Sequence, residues 1–161
     1  MSSIENTVQT FLGAVSNVYN TKDVSVINSI LTSDCAIQLV PAAFLKRSSL
    51  PPNFSLTPQQ WMGHMAKQFP AISSSTAETF DTVIDKPNKK AGMHMRLDVV
   101  LVDERTISLE YAIFLHLREE NGEAKINKVV EFVDGEAAGP FQGIVEGLLA
   151  KLQEEKEKGG K

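Results

Sequence analysis

The chain has 161 residues, 42% apolar and 22% charged, a balance that fits one ordinary soluble globular domain with a core of its own. Its formal net charge of −4 offers no positive field to a phosphate backbone, which argues against a nucleic-acid partner. Cys35 is the only cysteine, which excludes an intrachain disulfide framework and cysteine-based metal clusters. No basic leader precedes an apolar run, and no window approaches the ~20 apolar residues of a membrane span, so no membrane partner and a cytoplasmic location are expected.

Ile4, Val8, Phe11, Leu12, Val15 and Val18 recur at helical spacing, and Ser2 with Glu5 fits a capping box, so the chain opens with a helix. After a break at residues 20–23, Val24, Ile27, Ile30 and Leu31 predict a second, shorter helix. Cys35 to Val40 reads as a short apolar strand ended by Pro41. Residues 41–57 lack periodicity yet carry Phe44, Leu45, Leu50, Phe54 and Leu56; a long loop with that much apolar surface must pack on something, which makes it a candidate lid. Thr57-Pro58 opens a third helix, with proline at its tolerated first position and Trp61, Met62, Met65, Ala66 and Phe69 on its apolar side. Pro70 ends it.

Thr76 to Asp85 reads as a polar-rich strand, followed by longer strands over 91–102, 107–118 and 125–133. A last helix is built on Phe141, Ile144, Val145, Leu148, Leu149 and Leu152. Residues 1–153 read as a single domain and 154–161 as a charged, flexible tail. Helices at the front and strands at the back argue for an α+β fold: one curved antiparallel sheet wrapped around the N-terminal helices, with a cavity between them.

The turns suggest a register. A tight turn at Asp103–Thr106 sets Val102 opposite Ile107, hence Arg96 opposite Ile113 and Asp98 opposite Tyr111. Cross-strand partners share a face, so His94, Arg96 and Asp98 would lie with Leu109, Tyr111, Ile113 and Leu115, and Met93, Met95, Leu97, Val99, Ala112 and Phe114 on the other side. Asn121-Gly122 invites a two-residue type I′ hairpin, but that register opposes Arg118 with Lys125 and Glu120 with Glu123. Sliding by one residue avoids both like-charged pairs and sets Glu131 opposite Ile113, on the face of Tyr111, Arg96 and His94. An apolar outer face invites burial against a second subunit, so a homodimer through the sheet is expected.

Two N-terminal helices, a short strand, a third helix and a long meander run through Leu109-Glu-Tyr111, Phe114, Lys125-Ile126 and Glu131-Phe-Val-Asp134. That order and those strings resemble the nuclear transport factor 2-like superfamily, and within it the SnoaL-like proteins of fungal secondary metabolism. The resemblance spans roughly residues 4–134 by element order. It implies a cone-shaped α+β barrel, commonly dimeric, whose cavity binds hydrophobic small molecules. Its members include isomerases, dehydratases, cyclases and non-catalytic binding proteins, so the fold alone does not set the activity. Carried over by position, the tyrosine, base and protonated aspartate of ketosteroid isomerase fall near Phe11, Leu39 and Ile113, none of which can do that chemistry.

Glu131, flanked by Val129 and Val133, is the leading general acid or base, since partial burial would raise its pKa toward neutrality. The plain alternative is an ion pair with Arg96 or a hydrogen bond to Tyr111 in a structural network. His94 would shuttle protons near neutral pH or sit satisfied in the core. Asp98 would be a second base, and Arg96 and Tyr111 would steady enolate charge, unless Arg96 and Asp98 merely neutralise each other. Trp61 and His64 lie on the helix that usually walls the superfamily's cavity, and Ile113, Leu39 and Phe11 stand where its polar groups would be. His64, His94 and His116 lack ligand spacing, and there is no glycine-rich phosphate loop or nucleophile elbow, so no metal and no cofactor are expected. The resulting expectation is a cofactor-independent isomerase, dehydratase or cyclase that moves protons on a hydrophobic, oxygenated small molecule of polyketide or terpenoid type. The alternative is a non-catalytic dimeric module that binds a ligand or protein. An open pocket with an unpaired Glu131 and His94 at its wall supports the first, a dry, filled interior with Arg96 tied to Glu131 or Asp98 the second.

Overall fold

In the computed structural model, which describes residues 3–159, α1 spans Ser3–Thr21 and buries Thr7, Val8, Phe11, Val18 and Tyr19 along one stripe. Ser2 of the expected capping box lies outside the described residues. Two pairs of polar contacts fix the direction of α1. At its start, the Ala124 N–H donates to Ser3 Oγ (2.7 Å) and Thr7 Oγ1 donates to the Ala124 carbonyl (2.7 Å). Near its end, Asn20 grips Ser75 of another strand, accepting from its N–H (2.7 Å) and donating to its carbonyl (2.8 Å). The helix therefore lies across the sheet and covers its inner face.

The remaining elements are α2 (Ser25–Ile30), β1 (Leu31–Val40), α3 (Ala42–Arg47), β2 (Ser55–Leu56), α4 (Pro58–Gln68), a 3-10 turn (Phe69–Ala71), β3 (Ile72–Asp85), β4 (Lys90–Leu101), β5 (Thr106–Glu120), β6 (Glu123–Val133) and α5 (Gly135–Gly159). Residues 41–57 are thus not bare loop. They hold a short helix and a strand that pairs with β1. α4 begins with a full capping box, Thr57 and Gln60 each bonding the other's backbone N–H. Pro70 falls within the 3-10 turn. α5 starts at Gly135, where Asp134 Oδ1 accepts from the Glu136 N–H (3.0 Å), and it continues through 154–159 as exposed helix. No described helix is long and apolar enough to cross a membrane.

The strands form one curved, unclosed sheet in the order β2-β1-β6-β5-β4-β3. It is mixed rather than wholly antiparallel, because β1 joins β6 in parallel. A parallel neighbour needs a long crossover, and everything from α3 to β5 lies between these two strands.

The β4–β5 register differs from the expected one, with consequences for the site. Val99, not Val102, faces Ile107, a displacement of three residues. The Val102 N–H leaves the ladder to bond the Ala71 carbonyl (3.0 Å), and a wider turn closes through Leu101 N–H to the Arg105 carbonyl (2.8 Å), with Glu104 at φ +70°. An odd displacement turns every β4 side chain over. Met93, Met95, Leu97 and Val99 therefore point inward and are buried, while His94, Arg96 and Asp98 point outward. The apolar row expected to invite a dimer is core.

The β5–β6 hairpin reaches the expected Ile113–Glu131 pairing by another route. Asn121 (φ +54°) and Gly122 (φ +80°) form the two-residue turn that their sequence favours, and Arg118 does face Lys125 and Glu120 does face Glu123. Counter-charges answer both pairs: Arg118 bonds Asp34 (2.8 and 2.9 Å) and Glu120 (3.0 Å), and Lys125 lies 3.4 Å from Glu123. A bulge between His116 and Leu117 then slips the ladder so that Ile113 meets Glu131.

Candidate functional site

Between the inner face of the sheet and the helices lies a cavity of about 660 Å³. Leu39, Leu97, Leu109, Ile113 and Val133 contribute from the sheet, Val15 and Val18 from α1, and Trp61 and Met65 from α4. Phe44, Leu50, Phe54 and Leu56, from the segment read as a lid, and Phe141 of α5 complete the apolar wall. Arg47 of α3 reaches Glu136 at the start of α5 (3.0 Å), and Gly135 sits against the Phe44 ring. The two elements at this edge of the cavity are therefore in contact.

Glu131 stands in the middle of this wall. Strand alternation sends Val129, Glu131 and Val133 inward, and the ladder places Leu39 on one side of Glu131 and Ile113 on the other. Protein encloses the carboxyl, and the surface it keeps is the part that faces the cavity. Among the described residues no side chain or backbone donor bonds it, and it has no ion pair. Removal from water, uncompensated, raises its pKa from the ordinary 4.5 to about 7.

Tyr111 on β5 faces Val133, one inward position along from the Ile113–Glu131 pair, so the phenol and the carboxyl are neighbours on one face. Its hydroxyl has no hydrogen-bond partner among the described residues. Burial first, then the charge of Glu131 and the second tyrosine, Tyr19, hold its pKa well above that of a free tyrosine, so it stays a proton donor. Tyr19 reaches the same cavity from α1, and burial with the nearby Glu131 raises its pKa too. Its hydroxyl donates to Gln68 Oε1 at 2.6 Å, and Gln68 Nε2 meets His64 Nε2 at 3.3 Å. His64 sits exposed on the cavity rim, its pKa lowered by partial burial and by Lys67 against a smaller opposing pull from Glu146.

The site residues expected from sequence divide into two groups. Glu131, Tyr111, Ile113, Leu39, Trp61 and His64 lie on the cavity wall. Phe11 does not: it is fully buried behind Trp61, their rings stacked at 6.5 Å and 18°. His94, Arg96 and Asp98 are on the opposite face of the sheet, a correction that follows from the β4 register. There His94 bonds Glu110 (2.5 Å) and lies against the Phe80 ring (4.8 Å). Arg96 pairs with Glu78 (2.9 Å) and Asp98 (3.3 Å), and Asp98 accepts from Ser108 (2.5 Å). None of the three touches Glu131 or Tyr111.

Tyr19 and Gln68 join the site unexpectedly, although the sequence carried a signal for each. Tyr19 falls four residues after Val15 on the buried stripe of α1, and Gln68 continues the Trp61–Met65 stripe of α4 at helical spacing. A polar residue on an apolar stripe asks for a partner, and these two partner each other. Among the described residues, no group of three or more His, Cys, Asp or Glu side chains could hold a metal ion.

A half-open cone of sheet and helices around such a cavity is the nuclear transport factor 2-like fold, as comparison with solved structures shows. The chain is similar to PrhC from Penicillium brasilianum (14% identity, 94% of this chain and 93% of that one, TM-score 0.67). It is similar to the BvnE pinacolase of Penicillium brevicompactum (14%, 88% and 93%, TM-score 0.68). It also matches IdmH of Streptomyces antibioticus, a candidate polyketide cyclase (15%, 85% and 98%, TM-score 0.60). No family model and no curated protein matches the chain.

Proposed function

We propose that the protein is a cofactor-independent enzyme that transfers protons on a hydrophobic, oxygenated small molecule, with isomerisation, cyclisation or dehydration as the outcome. The observation that carries this reading is Glu131: an unpaired carboxyl with a pKa of about 7, set among Leu39, Ile113 and Val133 on the wall of a cavity of about 660 Å³. Near neutral pH both of its forms are populated, which is what a group that must take a proton and return it requires. The ionised form would remove a proton beside a substrate carbonyl. The free Tyr111 hydroxyl would donate to the oxygen on which charge then develops, and the Glu131 acid would deliver its proton at a second position. In this reading Tyr111 keeps the charge-stabilising role that the sequence offered to it and Arg96, and His94 has no part. The fold-level likeness to a pinacolase and to a candidate polyketide cyclase supports a rearrangement or ring-forming reaction over hydrolysis.

The test uses proton exchange rather than an unknown substrate. A bicyclic decalin ketone incubated with the protein in D2O is expected to exchange its α-hydrogens faster than in buffer, and Glu131→Gln to abolish the acceleration. A folded Glu131→Gln variant that exchanges as fast as the parent would contradict the assignment.

We also propose that the outer face of the sheet pairs with a second copy of the chain. Phe80, Val83, Phe114 and Phe132 are 45–63% exposed there, and they lie among charges of both signs, as a self-complementary contact needs. Sedimentation should give a dimer that Phe114→Glu converts to monomer; a monomeric parent would remove this part of the proposal.

A further inference from the structure

We propose that Tyr19 is a hydrogen-bond acceptor that selects a hydroxyl group on the substrate, its direction fixed by Gln68 and His64, so that the cavity takes hydroxy ketones in preference to simple ketones. This rests on the small-molecule reading above and narrows its substrate class.

The argument begins with one amide. The atom of Gln68 nearest the Tyr19 hydroxyl is 2.6 Å away, a length suited to O–H···O and short for a bond involving the amide nitrogen. Gln68 therefore presents its carbonyl to Tyr19, and its NH2 to His64 at 3.3 Å. An amide NH2 only donates, so His64 Nε2 must accept, which makes His64 the neutral tautomer with its proton on Nδ1. The surroundings agree: partial burial and Lys67 both disfavour the imidazolium, outweighing Glu146. The chain of donors then runs one way, from Gln68 to His64 and from Tyr19 to Gln68. A tyrosine has one hydroxyl proton, and that of Tyr19 is taken. Tyr19 can offer a ligand only lone pairs.

Tyr111 is the complement. It lines the same cavity with its proton unused by any described residue. Glu131, close enough to both phenols to raise their pKa values, accepts when ionised. Around Glu131, Tyr111 offers a donor, and Tyr19 and the ionised carboxylate offer acceptors; Gln59, Gln60, His64, Lys67 and Gln142 also line the cavity, on the helices α4 and α5. A simple ketone satisfies the donor and leaves Tyr19 facing carbon. A molecule with a carbonyl and a hydroxyl satisfies both, and a buried acceptor left without its donor discriminates strongly against the poorer ligand.

The experiment follows Trp61, the only tryptophan and part of the cavity wall, by fluorescence while the full chain is titrated. The probes share one skeleton: a decalin ketone, the matching alcohol, and the α- and β-hydroxy ketones. The wild-type protein is expected to bind one of the hydroxy ketones about tenfold or more tightly than the ketone. Tyr19→Phe should bring that ratio to about one while shifting ketone affinity less than about threefold. Gln68→Met frees the Tyr19 proton to donate to a ketone, so it should narrow the ratio by strengthening the ketone; it carries the test if Tyr19→Phe fails to fold. The proposal is overturned if Tyr19→Phe weakens the ketone as much as the hydroxy ketone, or if Gln68→Met keeps the full preference. Ketone and hydroxy ketone binding equally to the wild type overturns this inference and leaves the small-molecule reading standing. No probe binding at all overturns both.

Discussion

The two faces of one sheet treat carboxylates in opposite ways. On the outer face Glu110, Glu78 and Asp98 each have a partner within 3.3 Å and remain in contact with water. On the inner face Glu131 has no partner among the described residues and is largely removed from water, and its pKa climbs to about 7. The outer arrangement is what surface chemistry produces by default, and exposed pairs of that kind add little stability. The inner one destabilises the folded protein at neutral pH, with no bond offsetting it. A single strand separates the two environments by alternation alone, since Phe132, next to Glu131, is exposed. Charge density therefore marks the outer face, and the isolated carboxyl marks the face on which we propose the site.

The sharpest way to break this contrast is to neutralise each face in turn and follow activity. Glu131→Gln is expected to lower turnover of the true substrate, or proton exchange into a model ketone, by about 10²–10⁴-fold. Tyr111→Phe should follow at about 10²–10³-fold in kcat, with a smaller change in KM, as expected for a donor that acts as charge develops.

Stability should move in the opposite sense. A carboxyl whose pKa is higher folded than unfolded favours the folded state below the unfolded value, and that contribution is lost as pH rises through the folded one. For Glu131 the window runs from 4.5 to about 7, so the wild type should lose stability across it. The loss is on the order of 3 kcal/mol, and Glu131→Gln, which has nothing to ionise, should be the more stable protein at pH 8 by urea denaturation. On the outer face, Arg96→Ala should cost about 1 kcal/mol or less in the same assay. Neither Arg96→Ala nor His94→Ala should change the proton-exchange rate; a loss in either would return the outer cluster to the site.

Much of this was legible in the sequence, because most of the elements announce themselves locally. The helices follow from apolar spacing and from the Thr57–Gln60 cap, the hairpin turn from Asn121-Gly122, and the standing of Glu131 from its two flanking valines. The face of β4 was not legible. It depends on where the Val102 N–H finds its acceptor, and that acceptor is Ala71, thirty-one residues earlier in the chain. The like-charged pairs beside Asn121-Gly122 misled for a similar reason, since Arg118 is answered by Asp34 on β1, outside the hairpin. Tyr19 and Gln68 each look out of place on an apolar stripe. They make sense only once α1 and α4 are seen to meet over the cavity. Local rules fixed the elements, and tertiary contacts decided which polar groups share a wall.

The central claim is that Glu131 is an uncompensated carboxyl on the cavity wall, and it can be measured without knowing the substrate. The side-chain carboxyl carbon of Glu131, assigned by comparison with Glu131→Gln, can be followed by NMR across a pH titration. The account predicts a midpoint near 7. A midpoint near the ordinary 4.5 would mean that water or a partner reaches the carboxyl, and would contradict the site described for this protein.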